Sequence, residues 1–440
     1  MFIRIVFVCG TLCLGADALR AVELTPEAHA AYNAALDTLR RGDDERFEAA
    51  VAQFGALAKD GVRTADLRLE AALYRAGLAW KSKNRIDLES AAQGLRDFAR
   101  ENQRHPRVAE ARLALAELAA FGPEQDVDAA RNQLRLARAA NPSTAVSERS
   151  DVFAIYLAGW PGSADNPVAL SDRFLQRYPR SAFGDSVRFL RAEELLERGM
   201  LDDAATGFER IADERPDSPL VPGALFGAGH AALRQQTGPA LDRAATLFES
   251  AAGIAPADRL RAAAQLGGAR ARLRLGRPAV ALLQADALLT NESLRTEQIP
   301  ARLTRGEALL RLAIDDPTLL PEAANAFEAV ATGKDTPREW RRQAYTQLGE
   351  TFSRSGNLTA AIAAWREALS TPPEKGEDMV WFARAGFNAG DALQELKLWR
   401  EAAAVYQQIA EAGGLMRAEA EARLTQLRLA HFLWPQGAAP

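Results

Sequence analysis

The sequence predicts an all-α solenoid of about ten antiparallel helix pairs closed by a C-terminal capping helix. Three observations predict it. Ala, Leu, Arg and Glu dominate the 440 residues while β-branched residues are sparse, and these are strong helix formers. The stretch Tyr345–Pro373, YTQLGETFSRSGNLTAAIAAWREALSTPP, reads as two helices around one turn. Its spacing of small and aromatic residues then recurs along most of the chain.

Within that stretch, Tyr345, Leu348, Gly349 and Phe352 fall on one helical face by their spacing. Ser355-Gly356-Asn357 breaks the helix. A second helix presents Ala361, Trp365 and Ala368 before Pro372 and Pro373 stop it. Two helices joined by so short a turn must nearly touch, so Gly349 and Ala361 are expected where the two backbones approach.

This pattern resembles the tetratricopeptide repeat, a helix–turn–helix of about 34 residues. Tyr345, Leu348, Gly349, Phe352, Ala361, Trp365, Ala368 and Pro373 fall at all eight signature positions without a gap. Ala402, Tyr406 and Ile409 repeat the second-helix triplet, with Gly390 and Leu393 ahead of them. Ala323, Phe327 and Val330 follow Gly306, and Ala279 with Leu283 follows Gly267. Ala244, Phe248, Ala251 and Pro256 match again, as do Ala204, Phe208, Ile211 and Pro216. Towards the N-terminus the copies decay through Ala130, Leu134, Ala137 and Pro142 to Ala92 and Ala50. Phe174, Leu175 and Tyr178 are assigned to a pair whose first half, 151–159, is short. GWPGSADNP (159–167) is the candidate hinge. The resemblance implies a right-handed superhelix, with degenerate pairs over 19–164, a regular array over 165–414, and a capping helix and tail over 415–440. Leu415–Trp434 reads as the cap, with Arg and Glu on one face, as a terminal repeat requires.

The first eighteen residues, MFIRIVFVCGTLCLGADA, have the pattern of a secretory signal peptide: Arg4, an apolar run from Ile5 to Leu14, and Ala16-Asp17-Ala18 as the cleavage signal. The run is too short for a permanent membrane helix. Cys9 and Cys13 both lie inside it, so the mature chain is expected to form no disulfide and no thiolate metal site. Val8 and Leu12 precede them, which argues against a lipid-anchored form. The chain is expected to be periplasmic or secreted, or associated with the outer membrane.

Composition and motifs exclude several classes. A net charge of −4 with no basic stretch argues against nucleic acid. His29, His105, His230 and His431 are scattered, none at metal-ligand spacing, and read as surface or packed helix residues. GALFGAGHA (223–231) follows a turn and opens a repeat helix rather than following a strand, which argues against a phosphate loop. With nearly every residue assigned to a repeat, no catalytic domain remains. The chain is expected to be no enzyme and to use no cofactor or metal.

What remains is a surface. In the resembling family the first helix of each pair lines a concave groove. Carried onto this chain, its fifth position holds Phe189, Phe226, Ala264, Leu303, Thr346 and Phe387. The ninth holds Glu193, His230, Gly268, Glu307, Glu350 and Asp391. The thirteenth holds Arg234, Arg272, Arg311 and Arg354 between Glu197 and Glu395. The resemblance implies an arginine ladder beside a broken acidic row; the competing reading is solvated pairs such as Glu307–Arg311. The Lys and Asn with which some relatives clamp chaperone C-termini are missing.

Residues 174–229 add Phe-Leu-x-x-Tyr-Pro-x-Ser and a second Phe-x-x-Ile ending in Pro-Asp-Ser-Pro. These resemble repeats of the lipoprotein of the outer-membrane β-barrel assembly machinery and of the periplasmic protein of the Tol–Pal system. The implied function is a non-catalytic envelope scaffold that binds another protein's segment in its groove. The alternatives are a self-associating structural array and a non-catalytic subunit of a cell-wall enzyme complex.

Overall fold

The computed structural model describes residues 85–433 except 123–124, 257, 291–294 and 375–378, together with Ala65, Leu69, Ala72, Leu73 and Ala76. The signal-peptide residues, Ala50 and His29 lie outside the described residues, as does Trp434. Among the described residues there are eighteen α-helices and no strand. The chain divides at Met200/Leu201 into two compact units.

The first unit holds α1 (Arg85–Glu101), α2 (Val108–Phe121), α3 (Val127–Ala139), α4 (Thr144–Ala158), α5 (Pro167–Arg177) and α6 (Gly184–Glu197). Each helix packs on the next, and α2, α4 and α6 also pack on one another in turn. Asp126 starts α3 by accepting from the Ala129 amide, and Asn166 starts α5 by accepting from Val168 and Ala169, with Pro167 in the first turn. Such caps satisfy amides that have no partner within the helix. Ala130, Leu134 and Ala137 are buried as the repeat requires. The expected short first half, 151–159, is instead a full helix: Ser143 caps α4, which begins at Thr144. Phe174 and Tyr178 pack there against Val152, Ile155 and Val187.

The second unit holds α7 (Leu201–Glu214), α8 (Val221–Gln235), α9 (Gly238–Ile254), α10 (Asp258–Arg274), α11 (Pro278–Leu289), α12 (Arg295–Leu312), α13 (Leu320–Ala331), α14 (Arg338–Arg354), α15 (Leu358–Leu369), α16 (Val380–Glu395), α17 (Trp399–Ala412) and α18 (Arg417–His431). Successive helices again pack in sequence. Three of the turns inside pairs share one device, a left-handed residue that lets the following amide reach back to a carbonyl of the first helix. Gly276 (φ +73°) and Gly356 (φ +78°) serve in two pairs, with Arg277 N donating to Arg272 O and Asn357 N to Phe352 O, both at 2.9 Å. In α16–α17 a lysine does so: Lys397 has φ +59°, and Leu398 N reaches Leu393 O at 2.8 Å.

The cores are alanine-rich helix faces into which single rings are set. Phe208, Phe248, Phe327, Trp365 and Tyr406 are all buried. A Cβ on Gly349 would lie 2.4 Å from Trp365 Nε1, one on Gly306 2.6 Å from the Phe327 ring, and one on Gly390 2.5 Å from the Tyr406 ring. The small position therefore makes room for a ring, where the sequence suggested a backbone-to-backbone approach. The Trp365 indole is also fixed by polarity, since its Nε1 donates to Thr346 O at 3.0 Å.

One pair is out of its expected register. Leu283 is 70% exposed, and Ala279 is also exposed; the buried triplet of α11 is Ala281, Ala285 and Leu288. The small residue belonging to that pair is accordingly Ala269. Gly267 lies instead against Phe248 of the preceding pair, where a Cβ would come within 2.6 Å of the ring.

Candidate functional site

In the second unit the first helices α8, α10, α12, α14 and α16 pack directly on one another in turn. Second helices do not pack on one another in this way and are bridged by side chains, Arg243 with Glu209 and Arg366 with Glu401. First helices standing closer together than second helices put the first-helix face on the inside of the curve. Apart from Phe189, Glu193 and Glu197 on α6, the sequence-derived rows lie on these helices, and the structure sorts them into three groups.

The fifth-position row is mostly core. Phe189, expected in the groove, is 1% exposed and is buried in the first unit, and Leu303 and Thr346 are buried in the second. Phe189 is therefore corrected to a packing residue. Phe226 and Phe387 remain partly exposed. Phe226 meets His230 edge-on at 4.6 Å, and the Arg423 guanidinium lies over the Phe387 ring at 4.8 Å.

The ninth-position row ties neighbouring pairs together. Glu307 accepts from Gln343 Nε2 at 3.3 Å and from Gln347 Nε2 at 2.5 Å. Glu350 accepts from Arg384 at 2.6 Å and from Asn388 at 3.3 Å. Gln343 and Gln347 hold the places in α14 that Arg384 and Asn388 hold in α16, so one contact is repeated. Asp391 closes the series, accepting from Tyr406 Oη at 2.6 Å and from Arg423 of the cap at 3.0 Å. Burial pushes the Glu350 carboxyl up against the opposing pull of Arg384. Glu193 holds the equivalent place in α6 and is partly exposed. The signal for these bridges was present in the sequence, as polar residues four apart on the following first helix.

His230 differs. It sits between Phe226 and Phe248, at 5.2 Å from the second ring. Burial, with the positive charges of Arg270 and Arg234, pushes its pKa down to about 4, so it is neutral at pH 7. With the register corrected, Arg270 takes the ninth position of α10, where Gly268 was expected. Burial pushes its guanidinium down while Glu307 opposes the shift.

The thirteenth-position arginines Arg234, Arg311 and Arg354 are exposed. Arg354 Nη1 donates to Leu310 O at 3.1 Å, and Arg274 Nη1 donates to Leu233 O at 3.1 Å. Both acceptors are last-turn carbonyls of the preceding first helix, groups that a helix end leaves without internal partners. The identical contact places Arg274, not Arg272, in the ladder. Arg272 turns to the second helices, reaching Glu249 at 2.7 Å and Gln284 at 3.4 Å. A carbonyl fixes a guanidinium without neutralising it, so Arg274 and Arg354 are oriented while keeping their charge.

Among the described residues no cluster of three or more His, Cys, Asp or Glu is placed to hold a metal, and no helix is long and apolar enough to cross a membrane. The glycines of 223–231 lie inside α8, where Gly227 and Gly229 accommodate the Phe208 and Phe248 rings.

No family model and no curated protein matches the sequence. Among solved structures, the apo form of RapI aligns with a TM-score of 0.52 at 11% identity, covering 78% of this chain and 97% of its own. A tetratricopeptide repeat protein from Parabacteroides merdae aligns at 0.46 and 14% identity, covering 63% and 98%. Yeast Tom70 aligns at 0.40 and 15% identity, covering 87% and 85%. At these identities a likeness speaks to fold alone, and the first of the three carries it. The ring-on-glycine pairs, the left-handed turn residues and the stacked first helices together give this chain an all-α superhelical repeat fold of the tetratricopeptide type.

Proposed function

We propose that the chain is a non-catalytic scaffold that binds a segment of another protein along the first-helix face of its second unit. One observation carries this reading. Arg234, Arg274, Arg311 and Arg354 stand exposed at one position of four successive first helices, on the inner side of the stack. Charges repeated at that interval suit an extended acidic segment, each repeat offering one cation to one stretch of backbone or carboxylate. The partly exposed Phe226 and Phe387 supply apolar contact on the same helices. The same proposal places the protein in the cell envelope, on the strength of the N-terminal leader pattern and the envelope-type repeats of 174–229.

The test takes a partner captured from the native envelope fraction and titrates it against the full chain and an Arg311→Gln/Arg354→Gln variant, at low and moderate salt. Affinity at low salt is expected to drop at least about tenfold, and the salt dependence to flatten, because screening acts on the charges removed. Equal affinities would remove the ladder from the binding surface. N-terminal sequencing of protein from the native host is expected to begin near Leu19, and retained Met1 would remove the envelope assignment.

A further inference from the structure

The capping helix α18 is apolar on two opposite faces. Ala420, Leu424 and Leu427 are buried and share one core with Tyr406 and Ile409 of α17. At about 100° per residue the opposite face takes Ala418, Ala422, Thr425 and Leu429, and all four are exposed. Leu415 and Phe432, just beyond the two ends of the helix, are 97% and 78% exposed. From Leu415 to Phe432 these residues follow one another at alternating steps of three and four, the spacing of a coiled-coil seam. Thr425 needs no water there, since its hydroxyl donates to Glu421 O at 2.8 Å. A terminal repeat is expected to end on a polar outer side. Here the Arg and Glu residues of the cap line the edges of the seam and leave its centre apolar.

The charges at the edges are ordered. Glu421 and Arg428 stand along one edge, two turns apart, and Glu419 and Gln426 along the other. Glu421 accepts from Arg417 Nε at 2.7 Å in an exposed pair, and Arg428 Nη2 donates to the neutral Gln407 Oε1 at 2.9 Å. Exposed pairs of that kind are worth little and exchange readily. The order is also self-complementary. Turned end for end about a two-fold axis near the middle of the helix, Glu421 of one copy faces Arg428 of another, twice by symmetry. The same operation sets Ala418 against Leu429, Ala422 against Thr425 and Leu415 against Phe432, so that small residues meet larger ones through the middle of the seam. Parallel pairing would set alanine on alanine and leave Glu421 opposite Gln426.

We propose that α18 docks against α18 of a second copy of the chain, antiparallel about a two-fold axis. A closed two-fold contact uses the same patch on both copies, and the match of Glu421 with Arg428 is what selects a second copy as the occupant. A seam on one 15-residue helix is a small interface, so the dimer is weak and concentration-dependent. The proposal uses none of the groove arginines, and it and the groove reading can each fail alone.

The test is sedimentation of the full chain at low salt, from about 1 μM to about 1 mM. A monomer–dimer equilibrium is expected, weakened at least about tenfold by Leu429→Glu, which sets a carboxylate in the apolar seam. Because Leu429 is exposed, that variant should keep the parent's melting midpoint. Glu421→Arg alone and Arg428→Glu alone each place like charges opposite one another and should weaken association at least about threefold. Mixing the two single variants restores both contacts, and the mixture should associate within about twofold of the parent. A chain that stays monomeric throughout the range overturns the proposal. So does a dimer that survives Leu429→Glu, since it forms through another face. Single charge variants without effect, or a mixture that fails to recover, would rule out the antiparallel pairing and the proposal with it.

Discussion

The pairs α14–α15 and α10–α11 are built on one plan and filled differently. In α14–α15 the Trp365 ring occupies the space over Gly349, and its indole N–H is bonded to Thr346 O. In α10–α11 no ring is present: Ala285 stands where Trp365 would, opposite Ala269. The glycine of α10, Gly267, instead receives Phe248 from the pair before it, just as Gly227 of α8 receives Phe208. A first helix thus has two small positions two residues apart, one for its own pair's ring and one for its neighbour's. Which of them is glycine depends on which partner supplies the aromatic group.

The comparison breaks most sharply at Gly349. Gly349→Leu drives a branched side chain into a ring already held by a hydrogen bond and by the α14 backbone. A loss of about 3 kcal/mol or more is expected, at the upper end of overpacking effects. It should spread to α12–α13 and α16–α17, because repeats stabilise one another through their interfaces. A thermal melt of the variant matching that of the parent would show that the ring does not sit over Gly349.

His230 tests the same packing by titration, since it lies edge-on to Phe226 and Phe248. Its folded pKa is lowered from 6.5 to about 4. Between those values the unfolded chain binds a proton that the folded chain refuses, so stability is complete above pH 6.5 and falls as pH drops towards 4. The loss attributable to this one group is about 2–3 kcal/mol. His230→Phe keeps an aromatic group between the two rings and cannot titrate. Urea midpoints at pH 7 and pH 4.5 should therefore lie closer together in the variant than in the parent. An unchanged pH dependence would mean that other groups carry it.

These cases show what was legible in the sequence. Spacing alone located Trp365, Phe327, Tyr406 and Phe248, because a ring every repeat on an alanine-rich face has no other place to go. The error at Ala279 and Leu283 came from Gly267, whose partner lies in the preceding pair. A search within one pair cannot distinguish the two small positions when the pair lacks its own aromatic residue. The same two-residue shift moved Arg272 into the ladder in place of Arg274. Phe189 was misplaced for a different reason: a fifth-position side chain faces inward or lines the groove according to how closely the next first helix approaches. Glu307 and Glu350 lie on successive first helices, but their hydrogen bonds to Gln343, Gln347, Arg384 and Asn388 required the stacking of first helices to be known.

The turn devices offer a smaller effect of opposite sign. Lys397 adopts the left-handed conformation that Gly276 and Gly356 adopt in their pairs. A residue with a Cβ is strained there by about 1–2 kcal/mol, and glycine's extra freedom in the unfolded chain recovers part of that difference for the lysine. Lys397→Gly is expected to raise stability by about 0.5–1 kcal/mol, seen as a higher melting midpoint. Gly356→Lys should lower stability by a similar amount.

The smallest effect expected is also the cleanest test of the register in α11. Leu283 occupies the position at which Trp365 is buried if Gly267 marks the small residue of its own pair, and there Leu283→Gln would bury an amide and cost several kcal/mol. In the structure Leu283 points to solvent, and the substitution should change stability by no more than about 0.5 kcal/mol. Ala281 is fully buried two residues earlier, so Ala281→Leu should cost about 1–3 kcal/mol by overpacking. The two variants exchange their expected effects if the register moves by two residues. Measured side by side in urea, a silent Leu283→Gln beside a damaged Ala281→Leu fixes Ala285 as the residue facing Ala269. It thereby also fixes Arg274 as the member of the arginine row, because α10 and α11 can shift only together.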